Sequence, residues 1–128
     1  MKILVIAPLE EPALREIDGS LAAMQRIVGG TIQAVYPFEE QEPVVLICHD
    51  EGKLLGLPLN RALYHPETGE LYDVIAETFF LCGAPPEEDH FTSLTDGQIT
   101  AFSKRFAPVE QFLSIAGQIA VLPVKGGA

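Results

Sequence analysis

The sequence predicts an α+β domain: a single mixed or antiparallel sheet of about five to six strands with helices packed on it. Three observations lead to this class. The runs at 2–7, 44–48 and 78–82 are apolar on both faces, as strands buried between two layers must be. Two stretches, opening at Ser20 and Thr95, combine helical apolar spacing with explicit start signals. Clusters of Gly, Pro and acidic residues separate these elements and serve as turns.

The chain opens on Lys2–Ala7, a strand closed by Pro8, and Glu10-Glu11-Pro12 makes an acidic turn. Ala13–Ile17 reads as a short strand with weak alternation, which suits a sheet edge. Ser20 then stands as N-cap, with Asp18 just upstream. Leu21, Met24 and Val28 form one apolar stripe, while Gln25 and Arg26 face out. Gly29 can take the left-handed position that ends a helix, and Gly30 frees the exit. Thr31–Tyr36 is a further strand. The opening order strand, strand, helix, strand, strand is β-grasp-like, although other α+β sheets fit the same order.

Pro37–Pro43 is an acidic loop, and Val44–Cys48 the second fully apolar strand. Asp50-Glu51-Gly52 supplies a hairpin turn, from which Lys53–Leu57 returns as a short strand. Asn60 caps a brief turn through Leu63. His65-Pro66-Glu67-Thr68-Gly69 turns the chain between Tyr64 and Tyr72, and Thr78–Cys82 is the third apolar strand. Thr95 and Gln98 form a capping box. Ile99, Phe102 and Phe106 give that helix its buried stripe, and Lys104 and Arg105 complement its C-terminal dipole. From Pro108, the spacing of Val109, Phe112, Leu113 and Ala116 reads as helical until Gly117. Ile119–Val124 is a further turn or a short strand. Residues 1–107 thus form one domain, and 108–128 a part-helical extension that packs on the domain or on a partner.

Strands apolar on both faces need cover on both sides of the sheet. One helix cannot provide it, so the second helix, the tail or a partner subunit must lie opposite; a homodimer is one solution.

The chain has 128 residues and a formal charge of −10, from 18 Asp and Glu against 8 Lys and Arg. Bases are scarce rather than acids abundant, which argues against direct nucleic-acid binding, since that needs a basic footprint. No apolar run approaches the roughly 20 residues of a membrane span, and the first residues do not read as a signal peptide. The expected location is the cytoplasm. Cys48 and Cys82 lie in apolar runs and are expected to be buried, reduced thiols.

The densest polar patch is His49-Asp50-Glu51 followed by Asn60 and Arg61. A small enzyme could hold His49 with a carboxylate and fix an anionic substrate with Arg61. The structural alternative makes residues 50–52 a solvated turn and pairs Arg61 with a carboxylate. Asn60 and Arg61, on a loop in apolar surroundings, are the foremost contact candidates, with His49, Asp50 and Glu51 beside them. No residue is assigned as catalytic. Cys48 and His49 point to opposite faces of a strand and cannot easily share an ion, so no metal or other cofactor is expected. No nucleophile elbow or phosphate loop occurs, and Gly29-Gly30 sits at the wrong pole of a helix for phosphate. The Lys125-Gly126-Gly127-Ala128 end is similar to that of ubiquitin-like carriers, but Ala128 follows the glycines and an ordinary chain end is the simpler reading.

Taken together, EIDGSLAAMQRIVGG at 16–30, EGKLLGLPLNRAL at 51–63, YDVIAETFF at 72–80 and SLTDGQI at 93–99 resemble a domain-of-unknown-function family of small bacterial, phage and mobile-element proteins. The resemblance covers roughly residues 1–107 and brings no activity, cofactor or catalytic residue. Glu77 departs from it, standing where a small residue such as Gly is expected, and the tail from Pro108 looks like an addition. The resemblance and the composition lead to one expectation: a non-enzymatic binding or interaction module of phage or mobile-element type that acts on a protein partner. An acidic anti-restriction or DNA-mimic protein, and a small enzyme using His49, Asp50, Glu51 and Arg61, are the alternatives.

Overall fold

A computed structural model of the chain describes residues 1–38, 42–65 and 67–124. The terminal diglycine therefore lies outside the described residues, as do 39–41 of the acidic loop and Pro66 of the later turn. In chain order the elements are β1 (Lys2–Ile6), β2 (Ala13–Glu16), α1 (Leu21–Val28), β3 (Ile32–Val35), β4 (Val44–His49), β5 (Leu59–Tyr64), β6 (Leu71–Ala76), β7 (Phe79–Gly83), α2 (Asp96–Arg105), β8 (Val109–Ile115) and β9 (Gln118–Val124). Five strands form one sheet in the order β2-β1-β7-β4-β3, every neighbouring pair antiparallel. Two further ribbons, β5-β6 and β8-β9, stand apart from it. The strand pairing adds nothing to the β-grasp likeness of the opening order.

The three fully apolar runs are the three central strands, and the weakly patterned β2 and β3 are the edges. Period-two alternation sends their side chains to two cores. Leu4, Leu46 and Leu81 line up across the sheet on one face; Val45 and Cys82, with Phe80 and Ile47, meet on the other. The first face is covered by Phe102 and Phe106 of α2 and by Leu63 and Ile75 of the β5-β6 ribbon. The second is covered by Met24 and Val28 of α1. Both faces are thus closed within one chain, and the sheet needs no partner subunit to bury it.

The helix signals act as read. Ser20 accepts from the Ala23 amide at 3.1 Å, and Asp18 in turn accepts from Ser20 N–H at 2.8 Å. Gly29, at φ 84°, caps α1 in the left-handed conformation. Thr95 and Gln98 close a reciprocal capping box on α2. Leu21 departs from its predicted stripe: it is 58% exposed, and Ala23 is buried instead.

Three predicted elements are corrected. Lys53–Leu57 is not a returning strand but consecutive turns, with Leu55 N–H donating to Glu51 O at 2.9 Å and Leu57 N–H to Gly52 O at 3.0 Å. Leu54 and Leu55 are exposed there, so burial gives no reward for extension. Asn60 caps no turn; residues 59–64 are strand β5. The extension is not helical: 109–124 is a hairpin paired from Val109↔Val124 to Ile115↔Gln118. Its two-residue turn places Ala116 at φ 52° and Gly117 at φ 80°, the pair of positive φ values that a type I′ hairpin turn requires.

Candidate functional site

Asn60 and Arg61 lie at a register shift in β5, between the pairs Leu59↔Ala76 and Arg61↔Ile75. A bulge breaks strict alternation, which is how two consecutive polar residues both become buried. Asn60 donates through Nδ2 to Ile6 O at 2.8 Å and Glu77 O at 2.9 Å. Its Oδ1 accepts from Arg61 Nη1 at 2.8 Å. Arg61, 1% exposed, donates through Nη2 to Glu10 O at 2.6 Å and Phe106 O at 3.1 Å, and through Nε to Phe106 O at 3.3 Å. Longer contacts reach Ala7 O and Asn60 O.

Arg61 therefore has carbonyls where a carboxylate was expected. Among the described residues no acid forms an ion pair with it. Phe106 is the C-cap of α2, so the guanidinium also meets the negative end of that helix. Burial draws Arg61 below its usual pKa, and the Glu110 carboxylate opposes that shift. The pair ties together the end of β1, the loop through Glu10, the 77–78 turn and the end of α2.

Glu77 shows why that turn is unusual. It adopts φ 63°, a conformation suited to the small residue expected there. It is held from both sides, its N–H donating to Pro58 O at 2.7 Å and its carbonyl accepting from Asn60.

His49, Asp50 and Glu51 sit elsewhere. Two residues along β4 from Ile47, His49 projects toward the α1 face and packs its ring against Gly30, where a Cβ would overlap Nε2. Its Nδ1 accepts from Glu51 N–H at 3.0 Å. Gly30 thus does more than free the helix exit; its missing side chain makes room for the imidazole. Asp50 and Glu51 are exposed on the turn. A cavity of about 350 Å³ is lined by His49 and Asp50 together with Cys48, Lys53 and Asp73. Asn60 and Arg61 do not line it, so the two halves of the predicted patch share no pocket there. Lys53 and Asp73 pair at 2.6 Å across it in an exposed setting, where such a pair contributes little.

A second cleft, of about 570 Å³, has an apolar floor that includes Leu21, Met24, Ile32 and Phe91, with Asp18 and Asp89 on its walls. Bonds from Ser20 hold Asp18, and a bond from His90 holds Asp89, below the usual carboxylate range; the same bond to Asp89 raises His90. The Met1 ammonium, donating to Ile17 O at 2.7 Å, also lies at this cleft and offsets its negative charge.

Burial raises the Cys48 thiol to about 11 and the Cys82 thiol to about 12. The two lie in different cores. Among the described residues, no group of three or more His, Cys, Asp or Glu is placed to hold a metal ion, and no helix is long and apolar enough to cross a membrane.

The surface that the sequence reading missed is the C-terminal hairpin. Glu110 turns inward and accepts from Ala62 N–H at 3.0 Å, docking β8 beside β5. The register places Leu113, Ile115 and Leu122 on one common face, and all three are exposed, as is Ile119 near the tip. Apolar-polar alternation over Leu113, Ser114 and Ile115 was the available signal, overridden by the competing helical spacing.

The model of the family described as Domain of unknown function (DUF3846) matches residues 1–107. The chain belongs to this family. No curated protein and no solved structure matches it. The family domain comprises the five-stranded sheet, the β5-β6 ribbon and both helices, and the β8-β9 hairpin lies beyond the matched region.

Proposed function

We propose that this protein is a non-enzymatic binding module of the phage or mobile-element kind that its family resemblance implies, and that it acts on a protein partner. The observation that supports this reading is the exposed apolar face of the β8-β9 hairpin. Apolar side chains gathered on one face, with no charged side chain among them, are characteristic of a surface that another protein covers. Of the residues that a small enzyme would use, Arg61 is engaged by backbone carbonyls and His49 by Glu51 N–H and Gly30, while Asp50 and Glu51 lie exposed on the turn.

The test is affinity capture from a bacterial host with wild type and Leu113→Lys as paired baits. The reading expects at least one partner, identified by mass and confirmed with purified protein, to be lost with Leu113→Lys. Recovery of the same set by both baits would overturn it.

A further inference from the structure

We infer that the occupant of the hairpin face is a second copy of this chain, packed face to face about a two-fold axis. This deepens the binding-module reading and rests on it. Charge supplies the first argument. Each chain carries a formal charge of −10, so two copies repel over most of their surfaces. Residues 109–124 contain one charged side chain, Glu110, and it is committed to Ala62 N–H. The outer face of the hairpin is a place where two anionic copies can meet without opposing carboxylates.

Area supplies the second. On that face Leu113, Ile115 and Leu122 are 49%, 60% and 42% exposed. At roughly 180 Å² for a fully exposed residue of this size, toward the low end of the range for aromatic side chains, the three present about 270 Å². A standard interface takes roughly 800 Å² per partner, a little over half of it apolar, or about 450 Å². The three thus offer a little over half of the apolar area a standard interface requires, and the partly exposed Val109, Ala120 and Val124 on the same face add to it. A two-stranded ribbon is itself marginal in water, and isologous packing gives each copy the second layer it lacks.

The face, and not the free edge, makes this contact. Pro123 stands within β9 opposite Glu110. A proline is compatible with an intact ladder only where its nitrogen points away from the partner strand. The outer edge of β9 therefore lacks a donor at that position, which blunts strand addition.

The test uses the full chain in sedimentation equilibrium across a concentration series, with Leu113→Lys, Leu122→Lys and, as control, Leu54→Lys on the highly exposed β4–β5 turn. Wild type and Leu54→Lys are expected to give the dimer mass. Each hairpin variant is expected to weaken dimerisation at least about thirtyfold, the loss typical of a central contact. Added salt should tighten the wild-type dimer by screening repulsion between two anionic copies. If a hairpin variant fails to fold by circular dichroism, wild-type melting decides: a transition that rises with protein concentration supports the dimer, and one that does not overturns it. A monomeric wild type at every concentration, or dimers retained by both hairpin variants, would also overturn it. A monomeric wild type leaves the broader reading to stand or fall on the Leu113-dependent capture, so the two failures are distinct.

Discussion

Replacing Arg61 by alanine tests whether this side chain holds the fold together or serves a partner. Its three shortest contacts, to Glu10 O at 2.6 Å, Asn60 Oδ1 at 2.8 Å and Phe106 O at 3.1 Å, are charge-assisted bonds of about 1.5–3 kcal/mol each. Against their sum stands the desolvation of a buried guanidinium, several kcal/mol that the variant recovers. The balance is a loss of about 3–4 kcal/mol, a large part of the roughly 5–15 kcal/mol that stabilises a domain. In a chain of this length that lowers the melting temperature by about 10–15 °C. The assay is urea unfolding followed by far-ultraviolet circular dichroism, with the midpoint falling and the slope unchanged. Arg61→Lys should recover only a minor share, because an ammonium cannot reproduce the planar fork that reaches both Glu10 and Phe106. A loss below about 1 kcal/mol, well under the value for a buried hydrogen-bonded charge, would refute the reasoning and return Arg61 to the list of contact residues.

Three further outcomes follow from named contacts. Ala116→Asn should stabilise the protein by about 0.5–1 kcal/mol in the same assay, because asparagine tolerates the left-handed conformation of a type I′ turn better than alanine. Gly30→Ala should cost about 1–2 kcal/mol by forcing the His49 ring to move, and His49→Ala in the same chain should return most of that loss in a double-mutant cycle. The thiols of Cys48 and Cys82 should resist iodoacetamide in the native state at about pH 8. Their native pKa values are raised to about 11 and about 12 from the ordinary 9.0. The unfolded chain therefore ionises first, and the stability they contribute is complete below pH 9.0 and is lost as pH rises toward those values, visible as a falling urea midpoint.

How much of this was legible follows from which physics is local. The central strands β1, β4 and β7, the cap at Ser20, the capping box at Thr95 and Gln98 and the stop at Gly29 depend on short-range chemistry, and each is readable from a few neighbouring residues. The hairpin at 109–124 was not, because Val109, Phe112, Leu113 and Ala116 satisfy a helical period while only Leu113, Ser114 and Ile115 alternate as a strand does. The turn that decides between them is Ala-Gly, a much weaker hairpin signal than Asn-Gly. The strand predicted at 53–57 failed for a related reason: Gly52 and Gly56 allow the chain to coil, and no core position rewards Leu54 or Leu55 for extending.

The Asn60-Arg61 pair shows the sharper limit. A polar pair in an apolar neighbourhood needs partners, but composition cannot say whether they come from a ligand or from the chain itself. The donors here are answered by carbonyls of Ile6, Glu77, Glu10 and Phe106, groups that every residue carries and no motif marks. The same reasoning applies in reverse to the hairpin. Leu113, Ile115 and Leu122 look like core residues in sequence, yet the domain's two cores are complete without them. The fold turns its densest polar pair inward and presents apolar side chains on the ribbon beyond the family domain, and the proposed binding function rests on that ribbon. That is why a partner should be sought by changing Leu113, whereas changing Arg61 should alter stability.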